Sequence, residues 1–264
     1  MENIENRVTE EEIIEAFQKF RLKVNRYSQQ GGNFDLIHYA YYYKPDSALV
    51  KNLIDEIEKT YQKKRPSQKD KQLAGYKLEE LTLVVFHGLK GWDSIKNYQS
   101  STAQYDLLMS GNGLDWQSTL GLLPLHVPSH SSSIVVEAKA TKAKVNDSQF
   151  SRLCCLMQQN LKKTSVLGIF LTLNGATGFP KNNVLKNVGQ CRLRQLVFYA
   201  ETRKPIVVLD LNDIRKLSEP GSLLKILNAK IREIEEQTGL PTTEDIKEVA
   251  LPKHLSSLYE HLTC

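Results

Sequence analysis

Apolar residues recur every three or four positions along most of the chain, and this period predicts helices. The predicted helices run from Thr9 to the Gly31-Gly32 turn, over 45–64, from Gly75 to the Gly88–Gly91 region, and over 148–163, 186–202 and 221–238. Shorter alternating or continuous apolar runs predict five strands, at 95–98, 103–109, 133–140, 166–173 and 205–209. The run at 166–173 is apolar throughout, which is typical of a strand covered on both faces.

The order of these elements predicts an α/β protein with a mixed central sheet flanked by helices. A core of order α-β-β-β-α-β is followed by one more helix and strand, and strand–helix–strand units favour parallel pairing. We expect an N-terminal helical region at 1–72, the core at 73–215 and C-terminal helices at 216–264, with a short tail helix after Pro241. Residues 62–72 are polar and broken by proline, which predicts a linker, and the Gly-, Ser- and Pro-rich stretch 110–132 predicts a long loop.

Charge is distributed unevenly along the chain, although its formal net charge is only +5. Residues 1–58 carry 7 basic and 11 acidic side chains and residues 210–264 carry 7 and 10, whereas residues 59–209 carry 21 and 9. A central region with a net charge of +12 favours a polyanionic partner, although a solvated basic surface has the same composition. The basic stretches expected to contact phosphate groups are Lys63-Lys64-Arg65, Lys142 with Lys144, and Arg192 with Arg194.

Carboxylates inside the apolar strands are the strongest chemical signal in the sequence. Asp106 lies in the second predicted strand, and the third contains Glu137-Ala138-Lys139. Because side chains alternate along a strand, Glu137 and Lys139 share one face. Two convergent carboxylates are suited to a hard divalent cation, and a neighbouring ammonium can orient a water molecule.

The tripeptide alone has no predictive value, since about three acid-x-Lys matches are expected by chance in a chain of this composition. It occurs twice here, and the second match, Asp245-Ile246-Lys247, lies in a polar tail without an acidic strand before it. An ordinary surface ion pair on an edge strand is the alternative for Glu137 and Lys139. The strongly apolar surroundings of the third strand disfavour that alternative.

In this context the stretch 75–210 resembles the PD-(D/E)XK superfamily of restriction-endonuclease-like nucleases. Four features match in order: the helix Gly75–Leu81 with Glu79, the strand with Asp106, the strand with Glu137-Ala138-Lys139, and the later strand that begins at Gly168 and ends in Asn174-Gly175. Tyr105 departs from the usual residue before the aspartate. The resemblance implies the αβββαβ core of that superfamily with added N- and C-terminal helices.

The resemblance also implies the role of each site residue. Asp106, Glu137 and the Ala138 carbonyl would bind Mg²⁺, for which Mn²⁺ could substitute, and Lys139 would orient the attacking water and offset charge on the phosphate. Glu79 would reach the metal directly or through water, with Glu80 as its rival at the next position.

Gln149, at the start of the crossover helix, corresponds to a polar position beside the active site in similar proteins. It is therefore included among the candidate site residues.

The function implied is a metal-dependent endonuclease that hydrolyses DNA, with RNA as the other candidate substrate, in restriction or another defence against foreign DNA. The alternatives are a non-catalytic nucleic-acid-binding module of the same fold and a nuclease specific for junctions or repair intermediates. Homodimerisation and a regulatory protein partner are further expectations. The N-terminus lacks the basic and apolar regions of a signal peptide, and no apolar run is long enough to span a bilayer, which favours a cytoplasmic location.

Overall fold

A computed structural model of the chain describes residues 8–63, 66–99, 104–126, 132–141, 143–179 and 189–238. The helices in this part are α1 (Glu10–Gln29), α2 (Phe34–Tyr42), α3 (Ser47–Tyr61), α4 (Gln68–His87), α5 (Leu114–Gly121), α6 (Asp147–Cys155), α7 (Gln190–Thr202), α8 (Leu211–Ile214) and α9 (Ser222–Thr238). The strands are β1 (Ser94–Gln99), β2 (Gln104–Gly111), β3 (Ser132–Lys139), β4 (Ser165–Thr172) and β5 (Ile206–Leu209).

The five strands form one mixed sheet in the order β1-β2-β3-β4-β5. β1, β2 and β3 pair antiparallel, whereas β3, β4 and β5 pair parallel. The parallel pairs are connected through α6 and α7, as the predicted strand–helix–strand units require. The predicted α/β class and the mixed sheet flanked by helices are therefore confirmed.

Helices cover both faces of the sheet because the buried strands are apolar on both sides. One face packs Leu107, Ile134 and Val136 into a large core with α3, α4, α5 and α9. The opposite face packs Val135 and Phe170 against α6 and α7. β4 is buried along its whole length, which agrees with its continuous apolar sequence.

Segments outside the predicted core contribute to the same hydrophobic cluster as the sheet. Leu53 and Ile57 of α3 and Leu227 and Ile231 of α9 are buried in the core that contains β2 and β3. The tripartite division of the sequence therefore does not correspond to separate hydrophobic cores in the described residues. The predicted tail helix after Pro241 lies outside those residues.

The linker predicted at 62–72 is wrong over its second half, because α4 already begins at Gln68. Ser67 and Asp70 form a reciprocal capping box at this end: each side chain accepts the backbone N–H of the other residue. A capping box satisfies amides that would otherwise lack partners in the first helical turn. The first core helix is therefore about two turns longer than its apolar stripe predicts.

The loop predicted at 110–132 contains α5, and this prediction is also wrong in part. Trp116 of α5 is fully buried, and its indole N–H donates to the Ser132 carbonyl at 2.8 Å. Burial of one large aromatic side chain thus stabilises a helix that the Gly- and Ser-rich sequence does not predict. The predicted helix 148–163 is shorter than expected, since α6 passes into a π-helical turn at Leu156–Asn160.

None of the helices in the described ranges is long and apolar enough to cross a membrane. Cys154, Cys155 and Cys191 are free thiols. Burial raises the pKa of the Cys154 thiol to about 12, which keeps it protonated and unreactive at neutral pH.

Candidate active site

The candidate site forms where β2 and β3 stop pairing with each other. Their last backbone pair at this end joins Leu107 to Val136, so Asp106 and Glu137 lie one step beyond it. The Ala138 backbone N–H donates to Asp106 Oδ2 at 2.6 Å. The Asp106 carboxylate thus accepts a backbone N–H of β3 where backbone pairing with β2 has ended, and this bond holds the two strand ends together.

Lys139 brings the two carboxylates of the strands into one cluster. Its Nζ lies 3.1 Å from Glu137 Oε2 and 3.7 Å from Asp106 Oδ2. Glu137 and Lys139 share a face of β3 because they are two residues apart, as the sequence predicts. The structure therefore brings Asp106, Glu137 and Lys139 together around a single cationic centre.

Glu137 is a buried charge with two cationic neighbours. Its residue is only 2% exposed, and its Oε2 also accepts a bond of 2.6 Å from Arg152 Nη2 on α6. Burial raises the pKa of the Glu137 carboxyl, and Asp106 raises it further, whereas Lys139 and Arg152 oppose this rise. Sequence reasoning missed Arg152, which comes into contact with Glu137 only through the packing of α6 on β3.

Glu79 faces Asp106 across a cleft of about 370 Å³ between α4 and β2. Partial burial raises the pKa of the Glu79 carboxyl, the negative charge of Asp106 raises it further, and Lys139 lowers it. Glu80 also lines the cleft, but its carboxylate pairs with Lys77 at 3.0 Å. Glu79 is therefore the α4 carboxylate that is electrostatically coupled to the strand residues.

Gln149 has a structural contact that the sequence argument did not foresee. Its side-chain oxygen accepts the Asn146 backbone N–H at 3.1 Å, and the two residues form the capping box of α6. Capping accounts for a polar residue at the start of this helix without any role in chemistry. The structure thus places Gln149 at the N-terminus of α6, where its side chain is hydrogen-bonded to Asn146.

Two of the basic stretches predicted to contact phosphate have members engaged within the protein: Lys63, which pairs with Asp70 at 2.7 Å, and both Arg192 and Arg194. Arg192 is only 3% exposed, and it bonds Glu233 and Gln237 of α9, so the prediction that it contacts DNA is wrong. Arg194 forms two bonds of 2.8 Å to Asp147 at the start of α6. Residues 64, 65 and 142 lie outside the described ranges, while Lys144 is exposed.

The oxygen donors of the cluster are compatible with a hard cation. Asp106 Oδ2 and Glu137 Oε2 both lie within 4 Å of the Lys139 nitrogen, so they already converge on one positive charge. The N–H and C=O of one residue in a strand point toward the same neighbouring strand. The Ala138 carbonyl is therefore directed toward β2, as its N–H is. Among the described residues, no group of three or more His, Cys, Asp or Glu side chains could hold a metal. Two carboxylates suffice for Mg²⁺, which usually keeps several waters.

The raised pKa of Glu79 predicts how replacing it changes stability with pH. A carboxyl whose pKa is higher in the folded state costs stability once pH rises from its unfolded value, about 4.3, through the folded value. In EDTA, we expect Glu79→Gln to match wild type near pH 4 and to be more stable above this window. Urea denaturation across pH 4–8 measures the difference. Glu80→Gln is the control, and an equal gain from it would contradict the assignment.

The cluster thus combines carboxylates from β2, β3 and α4 with one lysine and one arginine, beside a cleft that opens to solvent. Neighbouring carboxyls with raised pKa values, here Glu79 and Glu137, are typical of functional sites. A scan against protein-family models, a search of curated proteins and a search of solved structures each found no match for this chain.

Proposed function

We propose that this protein is a metal-dependent nuclease of the PD-(D/E)XK type that hydrolyses phosphodiester bonds in DNA. The observation that carries the proposal is the convergence of Asp106 and Glu137 on Lys139 at the diverging ends of β2 and β3. The chain order α4-β1-β2-α5-β3-α6-β4 is compatible with the restriction-endonuclease-like fold, with α5 as an addition between the second and third strands. The net charge of +12 over residues 59–209 favours a polyanionic substrate.

Asp106, Glu137 and the Ala138 carbonyl would hold Mg²⁺, or Mn²⁺ in its place. The bound ion would supply Lewis acidity toward the phosphate and lower the pKa of a water molecule. Asp106 has its second oxygen free of the bond to Ala138, and the strand ends fix its position. Rigid backbone elements hold ligands in place more accurately than loops do.

Lys139 would orient the attacking water and stabilise the negative charge that builds on the phosphate in the transition state. Glu79 faces the cleft beside Asp106, and its raised pKa makes it suitable for holding a water or a proton there. Arg152 is 48% exposed and bonds the same Glu137 oxygen that a cation would engage. Arginine binds phosphate oxygens well, so Arg152 would be available to a substrate phosphate if a cation took its place at Glu137.

A non-catalytic DNA-binding module of the same fold is the competing function. Such a protein needs basic residues but gains nothing from carboxylates that repel the phosphate backbone. Two carboxyls with raised pKa values, Glu79 and Glu137, therefore favour catalysis over binding alone. A nuclease specific for junctions or repair intermediates would use the same site and differ in substrate geometry.

The direct test is cleavage of supercoiled plasmid and of linear DNA by the purified full chain with Mg²⁺, Mn²⁺ or EDTA. We expect nicking or linearisation with either metal and none with EDTA. Lys139→Met should lower the rate about 100-fold, because it removes an oriented charge from the transition state. The matched control is Lys230→Met. Lys230 pairs with Asp213 at 3.0 Å, and neither residue belongs to the candidate site.

Cleavage that persists in EDTA, or that survives Lys139→Met unchanged, would refute the proposed mechanism. DNA binding without cleavage would support the competing function of a non-catalytic DNA-binding module. Binding through phosphate contacts is recognised by an affinity for DNA that falls steeply as the salt concentration rises. A panel of duplex, single-stranded and four-way-junction DNA, with matched RNA, then separates the substrate alternatives.

A further inference from the structure

The first helix of the chain carries an apolar seam with the spacing of a coiled coil. Ile13, Phe17, Phe20, Val24 and Tyr27 follow one another at intervals of four, three, four and three residues. Apolar residues that recur every 3.5 positions on average form a stripe along one side of a helix, and such a stripe packs against a second helix.

This seam has little cover in the part of the chain that the structure describes. No residue of α1 is buried, and Phe17 is 69% exposed. Phe34 of α2 touches the edge of Phe20, with ring centroids 5.8 Å apart, yet Phe20 stays 55% exposed. Exposed apolar side chains in a continuous row mark an interaction surface, whereas isolated ones do not.

The charges of α1 are arranged so that the helix complements itself in reverse. Its four acidic residues all lie within residues 10–15, and its four basic residues all lie within residues 19–26. Glu10 and Arg21 are eleven residues apart, about three turns, so they lie on the same flank of the seam. Glu12 and Lys23 have the same separation and lie on the opposite flank.

We propose that two copies of this chain dimerise by pairing their α1 helices antiparallel across the seam. A two-fold axis perpendicular to the helix pair keeps each flank next to the same flank of the other helix. The acidic half of each α1 then lies beside the basic half of the other, and Glu10 faces Arg21 of the second copy. A parallel pair would instead place the acidic ends side by side, which costs stability.

Phe17→Glu is the first test, because Phe17 is the most exposed residue of the seam, and its exposure makes the fold of a single copy independent of it. Sedimentation equilibrium of the full chain should show dimers for wild type and at least about 100-fold weaker association for the variant, since two aromatic side chains lose their burial. The matched control is Leu22→Glu. Leu22 is 57% exposed on the far side of the same helix, and its replacement should change association less than about threefold.

A charge exchange tests the antiparallel direction. Arg21→Glu makes one flank wholly acidic and Glu10→Arg makes it wholly basic, so each variant should self-associate about tenfold more weakly than wild type. An equimolar mixture of the two should form a heterodimer, because every facing pair is then of opposite sign. Circular dichroism checks that α1 stays helical in each variant.

A wild-type chain that stays monomeric throughout would overturn the proposal, and so would equal effects of Phe17→Glu and Leu22→Glu. A monomer in which α1 is protected from hydrogen exchange would identify a segment of the same chain as the occupant of the seam, which also overturns it. Two monomeric charge variants that fail to associate on mixing would exclude the antiparallel arrangement. These outcomes are independent of nuclease activity, so they do not bear on the proposed function.

Discussion

Replacing Asp106 with asparagine is expected to reduce metal-dependent cleavage at least about 1000-fold without loss of the fold. Asparagine keeps an oxygen that can accept the Ala138 N–H, so the strand ends stay joined. It removes the negative charge that a cation needs. The same change relieves Glu79 and Glu137 of a like-charged neighbour, since Asp106 raises the pKa of both.

Two comparisons separate the role of the charge from that of the hydrogen bond. Asp106→Ala should lose cleavage equally and should also lose about 1 kcal/mol of stability, because the Ala138 N–H is left without its acceptor. Asp93→Asn is the matched control, since Asp93 accepts the Asn112 backbone N–H at 2.9 Å through the same kind of contact outside the cluster. Plasmid cleavage rates and urea denaturation measure both properties. Full activity in Asp106→Asn would remove Asp106 from the site.

The sequence predicts this region well because its signals are local. Alternation of apolar residues locates β2 and β3 to within two residues, and the two-residue spacing of Glu137 and Lys139 puts them on one face. The helical period left both Glu79 and Glu80 open as site residues, and in the structure Asp106 raises the pKa of Glu79. The strand–helix–strand connections also predict the parallel pairing of β3, β4 and β5.

The parts that sequence reasoning missed depend on contacts between distant segments. Arg152 meets Glu137 only because α6 crosses β3, and nothing in the local sequence of α6 indicates that contact. Burial of Trp116, with its hydrogen bond to Ser132, stabilises a helix within a Gly-rich stretch. Arg192 looks like a DNA contact in a basic stretch, but its partners lie about 40 residues further along the chain, on α9.

Glu137→Gln is expected to stabilise the metal-free protein while it abolishes cleavage. Glu137 is 2% exposed, and burial raises its pKa, so its negative charge costs stability at neutral pH. Glutamine fills the same volume and can still accept the Arg152 bond. We expect the free energy of unfolding in EDTA to rise by about 0.5–2 kcal/mol, as it does when a strained functional group is relieved.

Removing one partner of a buried ion pair usually destabilises a protein, because the other charge stays buried alone. That does not apply to Glu137, since Arg152 is half exposed and Lys139 keeps Asp106 as a neighbour. Glu233→Gln is the contrasting control, because it leaves the buried Arg192 guanidinium without its only carboxylate among the described contacts.

Urea denaturation should therefore give opposite signs for the two Glu→Gln changes. We expect Glu233→Gln to lose at least about 1 kcal/mol. The gain from Glu137→Gln should shrink as pH falls through the raised folded-state pKa and vanish below about 4.3, where glutamate is protonated in both states. A loss of stability from Glu137→Gln at neutral pH would mean that the carboxylate serves the fold. A gain in stability together with lost cleavage would mean that the Glu137 carboxylate serves catalysis and lowers the stability of the folded protein.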